Sequence, residues 1–104
     1  MKAFKVDTLD NAKQELRVKG GEKVAIELEG AGTTGYAWEV AKQAPELEVI
    51  GHSVEPNLES FGAAGTDRFV VRADSLGSHD IELTLKAPWE SAPVKRLTVK
   101  IKSE

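Results

Sequence analysis

The chain has 104 residues, 40% hydrophobic and 30% charged, with 14 Lys and Arg against 17 Asp and Glu for a formal net charge of −3. That length fits one domain, residues 1–104, and excludes a two-domain enzyme; the acidic balance argues against nucleic acid or an anionic membrane as principal partner, since both reward a basic surface. The absence of cysteine removes disulfides, thiolate metal sites and cysteine nucleophiles together.

The opening residues MKAFKVDTLDN hold no apolar run of signal-peptide length, and no stretch approaches the ~20 apolar residues of a membrane span. The expected location is cytoplasmic for the chain as given, and periplasmic or secreted if a signal peptide has been removed. Phe4 and Val6 suggest an edge strand, and Leu16 and Val18 a short one ended by Gly20-Gly21. Val24, Ile26 and Leu28 then alternate with Ala25, Glu27 and Glu29, the period of a strand with one buried face. After GAGTTG at 30–35, Tyr36, Trp38 and Val40 alternate with Ala37, Glu39 and Ala41. Tyr36, Val40 and Ala44 also fit a helical stripe, but no convincing N-cap precedes them, so a strand is expected.

Residues 46–55 follow Pro45 as a less regular strand, then comes PNLESFGAAG at 56–65. Phe69 and Val71 mark the next strand, SLGS at 75–78 a turn, and Ile81, Leu83 and Leu85 a further strand. APWESAP at 87–93 precedes the last, built on Leu97, Val99 and Ile101. The basic cluster of Lys95, Arg96, Lys100 and Lys102 has the spacing of that strand's solvated face. Short strands separated by turn signals predict an all-β protein, an immunoglobulin-like antiparallel β-sandwich with about seven or eight strands. With seven strands running alternately up and down, the connections at 30–35, 56–66 and 87–93 are the second, fourth and sixth and share one end of the sandwich. Their compositions are unusual, and loops gathered at one pole of a rigid scaffold commonly bind partners.

Other chemistry is poorly supported. Gly30, Gly32 and Gly35 spell GxGxxG after a strand, but a dinucleotide site needs a following helix, and YAWEV alternates with period two. His52 and His79 are the only imidazoles and have no ligand-spaced companions. Glu55 with Glu59, or Asp67 nearby, reads as solvation rather than acid–base catalysis, and Ser60, Ser78 and Ser91 lack a nucleophile elbow. No coherent active site emerges, so the chain is read as a non-enzyme without cofactor or metal. Trp38, in phase with its strand, is expected in the core. Trp89, directly after Pro88 in a loop, is either a lid over the sandwich end or an exposed anchor of the kind that dominates interfaces. Phe61 is more readily a loop-packing residue.

At AGTTGYAW (31–38), GAAGTDRF (62–69) and APWE (87–90) the sequence resembles the chagasin family of inhibitors of papain-like cysteine peptidases. That family carries NPTTGY or NPTTGF, GxGG and RPW in the same order on an immunoglobulin-like sandwich, and the likeness runs from about Gly20 to Ile101. The resemblance implies reversible, competitive inhibition by three loops straddling the peptidase cleft, with Thr33, Thr34, Gly35 and Tyr36 at the catalytic pair. Gly62, Ala63 and Gly65 match the second motif and Pro88 and Trp89 the third, with Ala64 and Ala87 standing at the remaining positions of those two contact loops. The implied partner is a papain-like cysteine peptidase, and a monomer suffices.

The residue types suit that task on physical grounds as well. GAGTTG is a small, uncharged wedge, glycines at 62 and 65 permit close backbone approach, and Pro88 limits the entropy lost on docking. The departures from the family pattern predict a weaker inhibitor. Ala31 and Gly32 replace Asn and Pro, the latter change worth about 0.5–1 kcal/mol, and Ala64 replaces a glycine. Ala87 replaces an arginine whose hydrogen bonds to charged groups are worth about 1.5–3 kcal/mol each. Together the losses come to about 2–4 kcal/mol, or roughly 30- to 1000-fold in affinity. The alternative is a non-inhibitory binding or adhesion module that kept the fold.

Overall fold

The computed structural model describes residues 2–6, 12–30, 36–55 and 65–104. Among the described residues eight strands run in chain order: β1 (Lys2–Lys5), β2 (Ala12–Val18), β3 (Lys23–Glu29), β4 (Ala37–Gln43), β5 (Leu47–Glu55), β6 (Thr66–Ala73), β7 (Gly77–Lys86) and β8 (Lys95–Ser103). They form two four-stranded sheets, ordered β1-β3-β6-β5 and β2-β8-β7-β4. The pairing of β3, β6 and β5 in one sheet and of β8, β7 and β4 in the other follows the immunoglobulin plan. The segment 36–44 is strand, because Trp38 and Val40 face Leu85 and Leu83 of β7 and a helix would scatter that row.

The core is the set of inward positions of that alternation. Ile26, Val71, Ile81, Leu83, Val99 and Ile101 are all fully enclosed, and Phe69 and Trp38 are each 2% exposed. The outward positions carry the charges. In β8, Lys102 pairs with Glu15 at 3.2 Å and Arg96 with Glu82 at 3.9 Å, so Arg96, Lys100 and Lys102 form the solvated face expected, while Lys95 stands in phase with Leu97 at the start of the strand.

Two bulges explain where the period breaks. In β5, Val49 faces Val71 while Gly51 faces Val70, which leaves Ile50 as the extra residue. Beyond it His52 and Val54 fall opposite Phe69 and Asp67, on the inward side of β6. In β4 the shift falls between Val40 and Lys42. Each bulge sits on a strand at the edge of its sheet, where an inserted residue disturbs one ladder only and discourages pairing with another chain.

The N-terminal residues form a true strand, parallel to β3, with Val6 continuing through N–H to the Glu27 carbonyl at 2.8 Å. Eight strands rather than seven renumber the connections. Those after β3, β5 and β7 still share one pole, since Glu29 and Glu55 both face Thr66 across β6, and Ala37 faces Lys86. The parallel run of β1 with β3 brings the chain out of β1 at that pole too.

Candidate functional site

At the loop-bearing pole the strand ends are laced to one another. Gly30 N–H donates to the Gly65 carbonyl at 2.8 Å, joining the base of the 30–36 connection to that of the 56–65 connection. A Cβ on Gly30 would lie 3.4 Å from Asp67 Oδ1 and 3.4 Å from the Gly65 carbonyl oxygen, so glycine permits this close approach. Trp38 lies in the core, yet its indole Nε1–H donates to the Glu29 carbonyl at 3.0 Å. That bond crosses from one sheet to the other directly beneath the pole.

The 86–95 connection is closed from within. Val94 N–H donates to the Leu85 carbonyl at 2.8 Å, and Glu90 N–H to the Ala87 carbonyl at 3.0 Å. The resulting turn turns the side chain of Trp89 outward, where it is 69% exposed. Its ring stands edge-on to Tyr36, with centroids 5.9 Å apart and planes at 70°, the T-shaped geometry that aromatic quadrupoles favour. Tyr36 in turn donates its phenolic hydrogen to Glu90 Oε1 at 2.6 Å. That bond, then partial desolvation and the Glu90 charge, raise the Tyr36 hydroxyl above its ordinary pKa.

Of the predicted contact residues, Tyr36, Gly65, Ala87, Pro88 and Trp89 fall in the described segments, and the structure brings all five to this pole. Pro88 and Trp89 are exposed, and Tyr36 and Gly65 half-buried. Ala87 is 1% exposed; its methyl lies beneath the surface, so its share of an interface is backbone and support. Thr33, Thr34, Gly35, Gly62, Ala63 and Ala64, with Ala31, Gly32, Glu59 and Phe61, lie outside the described residues. Trp89 is not a lid: its side chain is 69% exposed, and the buried residues at this end of β4 and β7 are Trp38, Leu85 and Ala87.

Asp67 departs from the solvated role expected of it. It is 5% exposed, because it sits on the inward face of β6 beside Phe69, and it faces His52 Nε2 at 3.8 Å. His52 stacks on Phe69 with ring centroids 4.0 Å apart and planes at 11°. His79 is 5% exposed and donates through Nε2 to the Ser75 carbonyl at 2.8 Å. Among the described residues no three of His, Asp and Glu are grouped as a metal site would require.

Two sets of residues escaped the sequence reading. Arg68 on β6 bonds Glu27 Oε2 of β3 through Nη2 at 2.6 Å and Glu55 Oε1 of β5 through Nη1 at 2.7 Å. It thereby ties down the last residue of β5, where the 56–65 connection begins. Glu90, immediately after the Pro-Trp pair, is the other. Its partner is 54 positions away, and a lone carboxylate in a loop carries no local sign of such a role.

Comparison with known proteins follows the same lines. Residues 17–102 match the family described as chagasin family peptidase inhibitor I42. Chagasin of Trypanosoma cruzi is 34% identical over 96 residues, covering 85% of this chain and 87% of that protein. Among solved structures, a cysteine protease inhibitor of Entamoeba histolytica superposes with a TM-score of 0.68 at 21% identity, covering 91% of this chain and 88% of the other. PbICP-C, solved in complex with falcipain-2, gives 0.70 at 16% identity over the full length of both chains. At those identities the two structures speak for the shared fold.

Proposed function

Because the chain belongs to the chagasin family of peptidase inhibitors, we propose that it blocks the active-site cleft of papain-like cysteine peptidases reversibly, with the loop-bearing pole of its sandwich. The chain is an inhibitor and not an enzyme, so its work is to fill the cleft without being turned over. The 31–35 segment is the wedge at the catalytic pair, where Thr33, Thr34 and Gly35 supply hydroxyls and backbone groups without bulk. The 62–65 segment and the Pro88-Trp89 tip flank it.

The observation that carries this reading is Trp89, exposed at 69% on a pole whose strand ends are hydrogen-bonded together. A bulky aromatic held outward by its own turn is ready to bury against a partner, and binding need not order it first. Adhesion or general scaffolding finds no comparable support. The proposed binding is non-covalent, and a chain without cysteine cannot form a mixed disulfide with the target thiol. A single copy presents all three loops, so no second subunit is required.

The test is titration of the purified chain against papain and a cathepsin L-type peptidase, with trypsin as counter-screen. Competitive inhibition of the cysteine peptidases and none of trypsin is expected. Absence of inhibition of both cysteine peptidases at tens of micromolar, or hydrolysis of the intact chain at the rate of a denatured substrate, would overturn the reading.

A further inference from the structure

Trp89 is at once the most exposed aromatic of the described residues and a residue with a fixed neighbour. An exposed tryptophan on a loop should sample several rotamers, and each would have to be abandoned when the ring docks. Here its edge meets the Tyr36 ring at 5.9 Å. Tyr36 stands one residue before β4, on the far side of the pole's first connection, while Trp89 and Glu90 follow β7. The two strands are paired at their ends, Ala37 opposite Lys86, so the ladder brings the connections side by side without setting the angle of either ring.

We propose that Glu90 is a positioning residue for Trp89: by accepting the 2.6 Å hydrogen bond of the Tyr36 hydroxyl, it clamps Tyr36 against the following turn and sets the outward pose of the indole in the free protein. The proposal rests on the functional reading above for its consequence, inhibition, but the clamp itself is a property of the unbound chain.

Three features make Glu90 the controlling member. Its backbone is already fixed, because its N–H closes the turn on the Ala87 carbonyl at 3.0 Å. Its acceptor is a carboxylate, and charge-assisted O–H···O bonds are shorter and stronger than neutral ones. The 2.6 Å separation falls in that short range. Glu90 itself is half-buried, so the bond is partly shielded from competing water. The same bond joins Tyr36, which follows Thr33, Thr34 and Gly35 in the chain, to the connection that carries Pro88 and Trp89, at two of the three contact loops of the proposed function. The bond holds Tyr36 and Glu90 together in the free chain, so the ordering of that pair is complete before the peptidase arrives.

The experiment compares wild type with Glu90→Ala, Glu90→Gln and Tyr36→Phe. The first readout is the heteronuclear NOE of the two indole Nε1–H signals in the free protein. Trp38, whose indole donates to the Glu29 carbonyl, is the internal reference for a fixed ring. In wild type the Trp89 signal should approach that of Trp38. In Glu90→Ala and in Tyr36→Phe it should fall while the Trp38 signal stays, and Glu90→Gln, which keeps an acceptor oxygen, should restore most of it.

The second readout is the inhibition constant against papain. Glu90→Ala should weaken it by about 3- to 10-fold, the scale of ordering one rotamer-rich side chain, with Glu90→Gln between. An unchanged Trp89 signal in Glu90→Ala overturns the proposal. So does a Glu90→Gln variant that keeps the indole fixed yet inhibits as poorly as Glu90→Ala, since the carboxylate would then act by its charge on the peptidase. If wild type shows the fixed indole but no inhibition, the clamp stands and the functional reading falls.

Discussion

Replacing Trp89 by alanine separates binding from folding more sharply than any other single change. Taking a tryptophan side chain at about 250 Å², the 69% that is exposed amounts to about 170 Å², worth about 4 kcal/mol gross at about 25 cal/mol per Å². Imperfect burial and the ordering of partner side chains reduce this, so a loss of at least about 2 kcal/mol in peptidase binding is expected, or roughly 30-fold. The stability side is smaller. What folding gains from Trp89 is its covered edge against Tyr36, and such aromatic pairs are worth about 0.5–1.5 kcal/mol. For a chain of this size about 1 kcal/mol moves Tm by roughly 4–8 °C. Inhibition assays against papain and thermal melts of the same samples give both numbers. A variant that inhibits like wild type, or one that loses more stability than affinity, would refute the assignment of Trp89 as the anchor.

Trp38→Ala should do the reverse, because a 2% exposed indole that also bonds Glu29 leaves a large cavity and an unpaired carbonyl; urea unfolding should show a loss of about 3–5 kcal/mol. Gly77 has φ of 112° with open space where a Cβ would go, so Gly77→Ala should cost about 1–3 kcal/mol through backbone strain alone. Gly51→Ala, also open but without positive φ, should stay within about 0.5 kcal/mol. Tyr36 is the single tyrosine, so its ionisation can be followed by absorbance at 295 nm. Its folded-state pKa is raised above 10.0, chiefly by the bond to Glu90, so the proton is held more tightly in the folded chain. The associated stability is fully present below pH about 10 and is lost as pH rises through the folded-state value. Glu90→Ala should return the titration to the ordinary range, and an unmoved midpoint would contradict the hydrogen bond.

The fold was legible because its signal is local. Leu97, Val99 and Ile101 alternate with Thr98, Lys100 and Lys102, and a two-residue period in a chain of short runs has few solutions other than a sandwich. The bulges were not legible. Ile50 is an ordinary β-branched residue, and that it stands opposite no partner is decided by β6 across the ladder. The 46–55 run looked irregular for that reason: Leu47 and Val49 hold one phase, Ile50 is inserted, and His52 and Val54 take up the phase after it, opposite Phe69 and Asp67, with Val54 63% exposed at the end of an edge strand. Asp67 was misjudged for a related cause: a carboxylate among many reads as a solvated charge, while the register with Leu28, itself buried, puts it inside.

The candidate site divides along the same line. Which residue types stand at the pole could be read from motifs, but how the pole is held together could not, because each tie joins distant positions: Gly30 with Gly65, Trp38 with Glu29, Tyr36 with Glu90, and Arg68 with Glu27 and Glu55. These ties bear on function as much as the contact residues do. A peptidase cleft is built to bind extended chain and cut it, so an inhibitor survives there only if its loops cannot relax into that conformation. Hydrogen bonds at the loop bases oppose such relaxation whatever the loop sequence is. That places Ala87 in a different light from its position beside Pro88: a buried methyl sacrifices the reach of an arginine but fills the sandwich end on which the Trp89 turn rests. If the pole binds as proposed, affinity and rigidity are set by different residues of one short segment: Trp89 offers the contact area, while Ala87 and Glu90 close the turn that presents it.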